Sequence, residues 1–157
     1  MEILQLLLMT SYIVKEMNKL DFGSGYNPEK DFKTCDIYGY VDYYFDPNSY
    51  KVNTDDKFDY IRCRNVIHHI KDINTLSEEF YRLLNDNGTL EIIECRKEYY
   101  SENYYLDYLW YRYIIPRYEV WFCNKYRDCN DYFNEFLLEN YSVDGEKEIF
   151  IYRKKKG

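Results

Sequence analysis

Three parts of the sequence carry residue types that could bind or activate a small molecule. Residues 20–25 read LDFGSG, which places two of the chain's six glycines in one turn after an apolar run. Glycine lacks a β-carbon and tolerates positive φ, so such a turn lets a ligand approach the backbone. His68 and His69 are the only histidines and could act as bases near neutral pH. Glu94, after another apolar run, is a second candidate base.

These residues stand at the ends of runs that predict an α/β sheet. Strands are predicted at 20–22, 34–37, 40–45, 58–63 and 89–95, and helices at 2–18, 75–84 and 131–139. Segments 141–144 and 147–153 predict a hairpin around Asp144-Gly145. Alternating strands and helices favour a Rossmann-like three-layer sandwich, with a mostly parallel sheet and a C-terminal antiparallel hairpin.

Length and composition limit the function classes. The 157 residues suit a single domain spanning 1–157, without a linker. The net charge of −7 disfavours nucleic acid as a partner, although a local basic patch could still bind it. Five cysteines without a CxxC pair fit reduced thiols in the cytoplasm and suggest no metal site. The apolar run 3–9 is too short to span a membrane.

Four motifs in order carry a family resemblance. They are LDFGSGYNP from residue 20, CDI at 35–37, FDYIRCRNVIHHI at 58–70 and YRLLNDNGTLEIIE at 81–94. This set, covering roughly residues 20–95, resembles the compact class I S-adenosylmethionine-dependent methyltransferases. In that family a glycine motif closes the first strand and an acidic residue closes the second. The resemblance implies S-adenosylmethionine as the cofactor and methyl transfer as the activity.

The resemblance also implies roles for particular residues. The stretch Asp21, Phe22, Gly23, Ser24 and Gly25 would hold the methionine end of the cofactor. Backbone N–H groups at a turn and helix start suit its carboxylate. Without a ligand, the same stretch would be a tight turn.

Other matched positions would surround the adenosine. Asp36 would accept hydrogen bonds from the ribose hydroxyls, with Ile37 against the adenine. Asp46 would lie near the adenine amino group, with Pro47 lining the same pocket. The segment with Asn65 and Val66 would close over the cofactor. Alternatively, Asp36 is an exposed strand-end acid, Asp46 a turn residue and Asn65 a helix cap.

Two departures from the family pattern concern the turns. Only eleven positions separate Gly25 from Asp36, so the helix after the glycine turn must be very short. Asn27 is the expected N-cap of that helix, with Pro28 at its first position. The usual glycine pair before the fifth strand is reduced to Asn87-Gly88. Both departures suggest a minimal version of the fold.

The catalytic candidates are His69, His68 and Glu94. His69 matches the family's histidine, and one of the two histidines could instead pack under the cofactor. Glu94 could act as a base or orient the substrate. Residues 96–130, rich in aromatic residues, are expected to form a substrate-side lid or insert, or else an amphipathic helix on the sheet.

The sequence therefore predicts a methyltransferase acting on an oxygen or nitrogen of a small molecule or sugar. One alternative is an inactive methyltransferase-like binding or partner subunit. The other is an RNA or mRNA-cap methyltransferase, which predicts a basic groove formed by Arg96, Arg112, Arg117 and Arg127. The sequence leaves the oligomeric state open.

Overall fold

A computed structural model describes residues 16–100, 123 and 125–156. Their strands form one sheet in the order β4-β3-β2-β1-β5-β6-β8-β7. The strands are β1 (Lys19–Phe22), β2 (Lys33–Asp36), β3 (Tyr43–Asp46), β4 (Lys51–Val52), β5 (Phe58–Arg64), β6 (Leu84–Cys95), β7 (Phe136–Asp144) and β8 (Lys147–Lys154). A helix, α1 (Ile73–Leu83), links β5 to β6.

The strand order reverses on either side of β1. This strand pairs in parallel with β2 on one side and with β5 on the other. β3 and β6 continue the parallel sheet outward, while β4 joins β3 in the antiparallel sense. β8 lies antiparallel between β6 and β7. In such sheets ligands bind beyond the carboxyl ends of the strands at the reversal point.

The observed sheet confirms the predicted strands and the predicted hairpin. One helix prediction is wrong, and another falls almost wholly on residues that the structure does not describe. The helix predicted at 131–139 is wrong: a short 3-10 helix (Cys129–Asp131) is followed by β7, which starts at Phe136. The cause is the free edge of β8, which pairs with β7 along its length. The helix predicted at 2–18 lies almost wholly outside the described residues.

Helix α1 covers one face of the sheet and contributes to the main core. It starts at Asp72, whose carboxylate accepts hydrogen bonds from the Thr75 N–H at 3.1 Å and hydroxyl at 2.6 Å. The buried positions Ile73, Leu76, Ser77, Glu79, Phe80 and Leu83 follow helical spacing. Phe80 packs edge-to-face on Phe22 of β1, with ring centroids 4.9 Å apart. The helix thus fixes the strand that carries the glycine turn.

The carboxyl end of α1 is satisfied by two lysines. Lys154 Nζ donates to the carbonyls of Tyr81 and Leu84, each at 2.8 Å, and Lys57 Nζ donates to the carbonyl of Arg82. Positive charge is favourable there because the last carbonyls of a helix lack partners within it. The basic C-terminal run is therefore partly structural, since β8 extends through Lys154.

A buried carboxylate joins α1 to the edge strand β4. Glu79 accepts from the Val52 N–H at 2.7 Å and from Arg82 Nε at 2.6 Å, and Arg82 in turn donates to the Val52 carbonyl at 3.1 Å. Burial disfavours the ionised carboxyl, but Arg82 and the Val52 N–H outweigh it and lower the pKa of Glu79.

In the described part of the chain no helix is long and apolar enough to cross a bilayer.

Replacing Glu79 with Ala should lower the free energy of unfolding by about 2–3 kcal/mol. The variant leaves the Val52 N–H without its acceptor and removes a charged hydrogen bond, a type that contributes about 1.5–3 kcal/mol. Urea unfolding measures the loss, with Glu78→Ala on the exposed side of the helix as control. Because the pKa of Glu79 is lowered, its contribution exists above the ordinary glutamate value and disappears as the pH falls through the folded-state pKa. Equal losses in both variants at neutral pH would contradict the prediction.

Candidate functional site

The glycine turn lies at the carboxyl end of β1, against the end of β2. The N–H groups of Gly23 and Ser24 both donate to the carbonyl of Cys35, at 2.8 and 3.1 Å. Gly23 has φ +72° and Gly25 has φ +55°. Both values lie in the left-handed region that glycine enters without a β-carbon penalty. The turn therefore favours glycine at both positions.

The carboxylate of Asp36 faces the glycine turn. Its Oδ2 accepts from the Gly25 N–H at 2.9 Å, and its Oδ1 accepts from the N–H of Ile37 at 2.7 Å. Each carboxylate oxygen can accept more than one hydrogen bond, so both keep capacity for hydroxyl donors. The structure thus brings together Gly25 and Asp36, which the sequence placed at the tips of neighbouring strands.

No helix follows the glycine turn. Every residue from Gly25 to Phe32 is described, and this stretch consists of turns, bends and irregular backbone, with φ of +68° at Asp31. The expected short helix capped by Asn27 is therefore wrong. Eleven positions suffice for a loop but leave little room for a helix between two parallel strands. The dipole of such a helix is consequently missing from the site.

Side chains from β1 and β5 hold this loop in place of helix packing. Asp21 Oδ2 accepts from the Glu29 N–H at 2.8 Å, and Arg62 pairs with the Glu29 carboxylate. Arg64 Nη2 donates to the carbonyl of Asn27 at 3.1 Å. Burial raises the pKa of Asp21, against the lowering effects of the Glu29 N–H, Arg64 and Arg62. Asp21 is buried, and the hydrogen bond that it accepts from the Glu29 N–H holds the loop.

The segment after β5 lies directly over the glycine turn. A β-carbon built on Gly23 would fall 2.2 Å from Val66 Cγ2, whereas one on Gly25 would meet no described atom within 4 Å. Asn65 has φ +58°, donates its N–H to the Ile93 carbonyl at 2.9 Å and accepts from Lys147 Nζ at 2.8 Å. The side of the turn facing away from Val66, at Gly25, is therefore the side that a ligand could approach.

The remaining cofactor candidates divide between core and surface. Phe22 is buried in the core against Phe45 and Phe80. Asp46, at the end of β3, is exposed, and its Oδ1 accepts from the Asn48 N–H at 2.9 Å in a turn; Pro47 follows it and is partly exposed.

His68 forms a buried pair with Glu94 at the carboxyl ends of β5 and β6. His68 Nδ1 lies 2.8 Å from Glu94 Oε2, and Glu94 Oε1 accepts from the Ile67 N–H at 2.7 Å. Both side chains are at least 95% buried. A carboxylate beside Nδ1 fixes the orientation of the imidazole ring. Glu94 thus holds the His68 ring and the backbone before it in one arrangement.

His69 lies beside His68 but in a different electrostatic environment. The ring centroids of the two histidines are 3.9 Å apart. Burial and, to a smaller extent, the neighbouring His68 lower the pKa of His69 to about 3. An imidazole with that pKa is neutral at physiological pH and a weak base. The geometry thus favours His68 over His69 for proton transfer.

Cys123 and Arg127 hold the histidine segment through hydrogen bonds to its backbone carbonyls. The Cys123 N–H donates to the His69 carbonyl at 2.8 Å, and Arg127 Nη2 donates to the carbonyls of Ile70 and Lys71 at 2.9 and 2.7 Å. Arg96, another arginine of the proposed basic groove, lies 3.6 Å from Glu98. Arg112 and Arg117 lie outside the described residues, as does most of the segment 96–130.

Sequence reasoning missed Glu148, which lies opposite Glu94 in the β6–β8 pairing. It is buried, and its carboxylate accepts hydrogen bonds from the hydroxyls of Tyr126 and Tyr141, each at 3.0 Å. The only signal was an acidic residue within the alternating run of β8. The described residues contain no cluster of His, Cys, Asp and Glu able to hold a metal ion.

Comparison with known proteins gives a family and a fold. Residues 2–140 match the sequence model of a family described as "Methyltransferase domain". No curated protein matches the sequence.

Several solved structures share the fold. An S-adenosylmethionine-dependent methyltransferase from Mesorhizobium loti has a TM-score of 0.62 at 10% identity, over 90% of this chain and 92% of that one. One from Thermotoga maritima has a TM-score of 0.61 at 14% identity, over 95% and 87%. The N-methyltransferase NodS from Bradyrhizobium japonicum WM9, in complex with S-adenosyl-L-homocysteine, has a TM-score of 0.51 at 12% identity, over 97% and 85%. At such identities these likenesses establish the Rossmann-like fold.

Alanine at Gly23 should destabilise the protein more than alanine at Gly25. Both variants place a β-carbon at positive φ, which costs about 1–2 kcal/mol. The Gly23 variant also overlaps Val66, and overpacking adds roughly 1–3 kcal/mol. Urea unfolding of the two variants gives the difference directly. Equal losses would mean that Val66 does not rest on the turn.

Proposed function

Because the chain belongs to the methyltransferase domain family, we propose that it transfers the methyl group of S-adenosylmethionine to an oxygen or nitrogen of a small molecule or sugar. The observation that carries the choice of acceptor atom is the His68–Glu94 pair. A hydroxyl acceptor must lose a proton as it attacks the methyl group, and an ammonium acceptor must lose one before it can attack. A histidine held by a carboxylate can take that proton.

The residues at the glycine turn fit the cofactor. Gly25 leaves space that a β-carbon would occupy, and the Asp36 carboxylate beside it retains acceptor capacity for vicinal hydroxyls. Asn65 and Val66, immediately after β5, bound the turn on its other side. When bound, the cofactor supplies a methyl group already activated by the positive sulfonium.

The chain's own contribution would be placement and proton removal. Positioning two reactants can lower the reaction barrier by up to about 7–11 kcal/mol. The carboxyl ends of β1, β2 and β5, which would position the cofactor, would therefore make the main contribution to catalysis. Glu94 holds the His68 ring in one orientation, and the imidazole would receive the acceptor's proton. One sulfur–carbon bond breaks, one carbon–oxygen or carbon–nitrogen bond forms, and the products are the methylated acceptor and S-adenosylhomocysteine.

Three further observations bear on the acceptor. Arg127, assigned to a basic groove under the RNA hypothesis, is committed to the carbonyls of Ile70 and Lys71. The net charge of −7 opposes binding to a phosphate backbone. The neighbouring NodS is an N-methyltransferase, which is compatible with a nitrogen acceptor. These observations favour a small molecule or sugar over nucleic acid.

Replacing Asp36 with Ala should lower the affinity for S-adenosylhomocysteine by about tenfold or more, because charged hydrogen bonds to the ribose would be lost. Isothermal titration calorimetry measures the change, and circular dichroism checks the fold. Asp42→Ala is the matched control, since its carboxylate bonds only to Thr34 among the described residues. Unchanged affinity in Asp36→Ala would remove the ribose role.

The base assignment is tested with His68→Gln. Methyl transfer to a panel of phenols, amines and sugars is followed through release of S-adenosylhomocysteine. We expect kcat to fall by about 10²–10⁴-fold, the usual contribution of a general base, with cofactor affinity retained. An equal loss in His69→Gln would contradict the choice of His68. A wild type that binds the cofactor but methylates no acceptor would favour the inactive binding module.

A further inference from the structure

The methionine end of the cofactor carries a carboxylate, and this chain lacks one common device for holding it. A helix start stabilises an anion through its free N–H groups and its dipole. Residues 26–32 follow the glycine turn without forming a helix. A carboxylate placed at this turn therefore needs positive charge from a side chain.

Two arginines extend from the end of β5 toward the loop. Arg62 is already matched by two carboxylates: its Nη1 lies 2.5 Å from Glu29 Oε2, and its Nε lies 2.6 Å from Glu91 Oε1. Two such partners neutralise the guanidinium and occupy donors on both of its sides. Arg62 thus serves to hold the loop.

Arg64 differs from Arg62 in its partners. Its Nη2 donates to the Asn27 carbonyl at 3.1 Å, and the described part of the chain places no carboxylate within 4 Å of it. It is the last residue of β5 and follows Cys63, which pairs with Phe22 of β1. It therefore lies beside Gly23, at the tip where the turn begins. Its side chain is partly exposed, so a ligand can reach it.

We propose that Arg64 binds the methionine carboxylate of the cofactor and replaces the missing helix start. The inference rests on the proposed function. A guanidinium has five N–H donors in a planar fork that matches the two oxygens of a carboxylate. The bond to Asn27 uses one of them and fixes the direction of the side chain.

The acidic surroundings make this charge necessary. Asp21 and Asp36 lie on either side of the glycine turn, and Asp21 is nearly fully buried. Two neighbouring carboxylates repel an anion, and the repulsion grows where water is excluded. The positive charge of Arg64 acts to lower the pKa of Asp21 against the effect of burial, so this charge also acts at the turn.

The test compares two ligands that differ in the methionine portion. S-Adenosylhomocysteine carries the amino acid, whereas 5′-methylthioadenosine has the same thioether and adenosine without it. Calorimetry is carried out on the full chain and on Arg64→Gln. We expect Arg64→Gln to bind S-adenosylhomocysteine about tenfold or more weakly, with affinity for 5′-methylthioadenosine changed by less than about twofold. Arg153→Gln, which changes an arginine on β8 that is paired with Glu139, should change neither affinity.

Each other outcome has a distinct meaning. Unchanged binding of S-adenosylhomocysteine in Arg64→Gln would overturn the inference. An equal loss for both ligands would overturn it too, because Arg64 would then only hold the loop at Asn27. A wild type that binds neither ligand would overturn the proposed function itself, and the inference with it. Thermal unfolding of Arg64→Gln shows whether the fold is retained, and Arg64→Lys, which keeps the charge, should recover part of the affinity for S-adenosylhomocysteine alone.

Discussion

The hydrogen bond from the Gly25 N–H to the Asp36 carboxylate is the contact on which the site depends. It joins the tips of two adjacent parallel strands and exists only because β1 pairs with β2 in one register. A shift by one residue would turn Asp36 to the opposite face of the sheet. The register is in turn secured by Leu20, Phe22 and Cys35, which are buried on the face that α1 covers. The packing of these core residues therefore determines where the Gly25 N–H and the Asp36 carboxylate lie at the carboxyl ends of the two strands.

The loop after the glycine turn shows how the chain dispenses with a helix. A helix would have satisfied its own backbone groups and packed apolar side chains on the sheet. Here the face of β5 toward the loop carries Arg62 and Arg64, and Glu91 continues this polar strip on β6. These long side chains reach the loop and bond to it where helix packing is absent. The loop that replaces the helix also leaves the site without a helix dipole. The missing helix therefore affects both the support of the loop and the electrostatic environment of a ligand.

Sequence patterns predicted the sheet well because each strand carries its own signal. Alternation in 58–63 and the Asp144-Gly145 turn are local features, and the structure confirms both elements. The helix expected at 131–139 failed because Phe133 and Phe136 have helical spacing, while the edge of β8 decides the outcome through pairing that is distant in sequence. Glu148 was missed for the same reason: its position opposite Glu94 arises from the β6–β8 register, which no local pattern encodes.

The two histidines show why residue type alone could not identify a base. His68 and His69 are adjacent in sequence and lie at the same end of β5, yet one faces a carboxylate and the other is desolvated beside its neighbour. A motif match favoured His69, since the resemblance aligned that position with the family's histidine. The carboxylate of Glu94, 26 residues further along the chain, reverses the preference. The pairing of β5 with β6 brings Glu94 to His68, and no local motif encodes that contact.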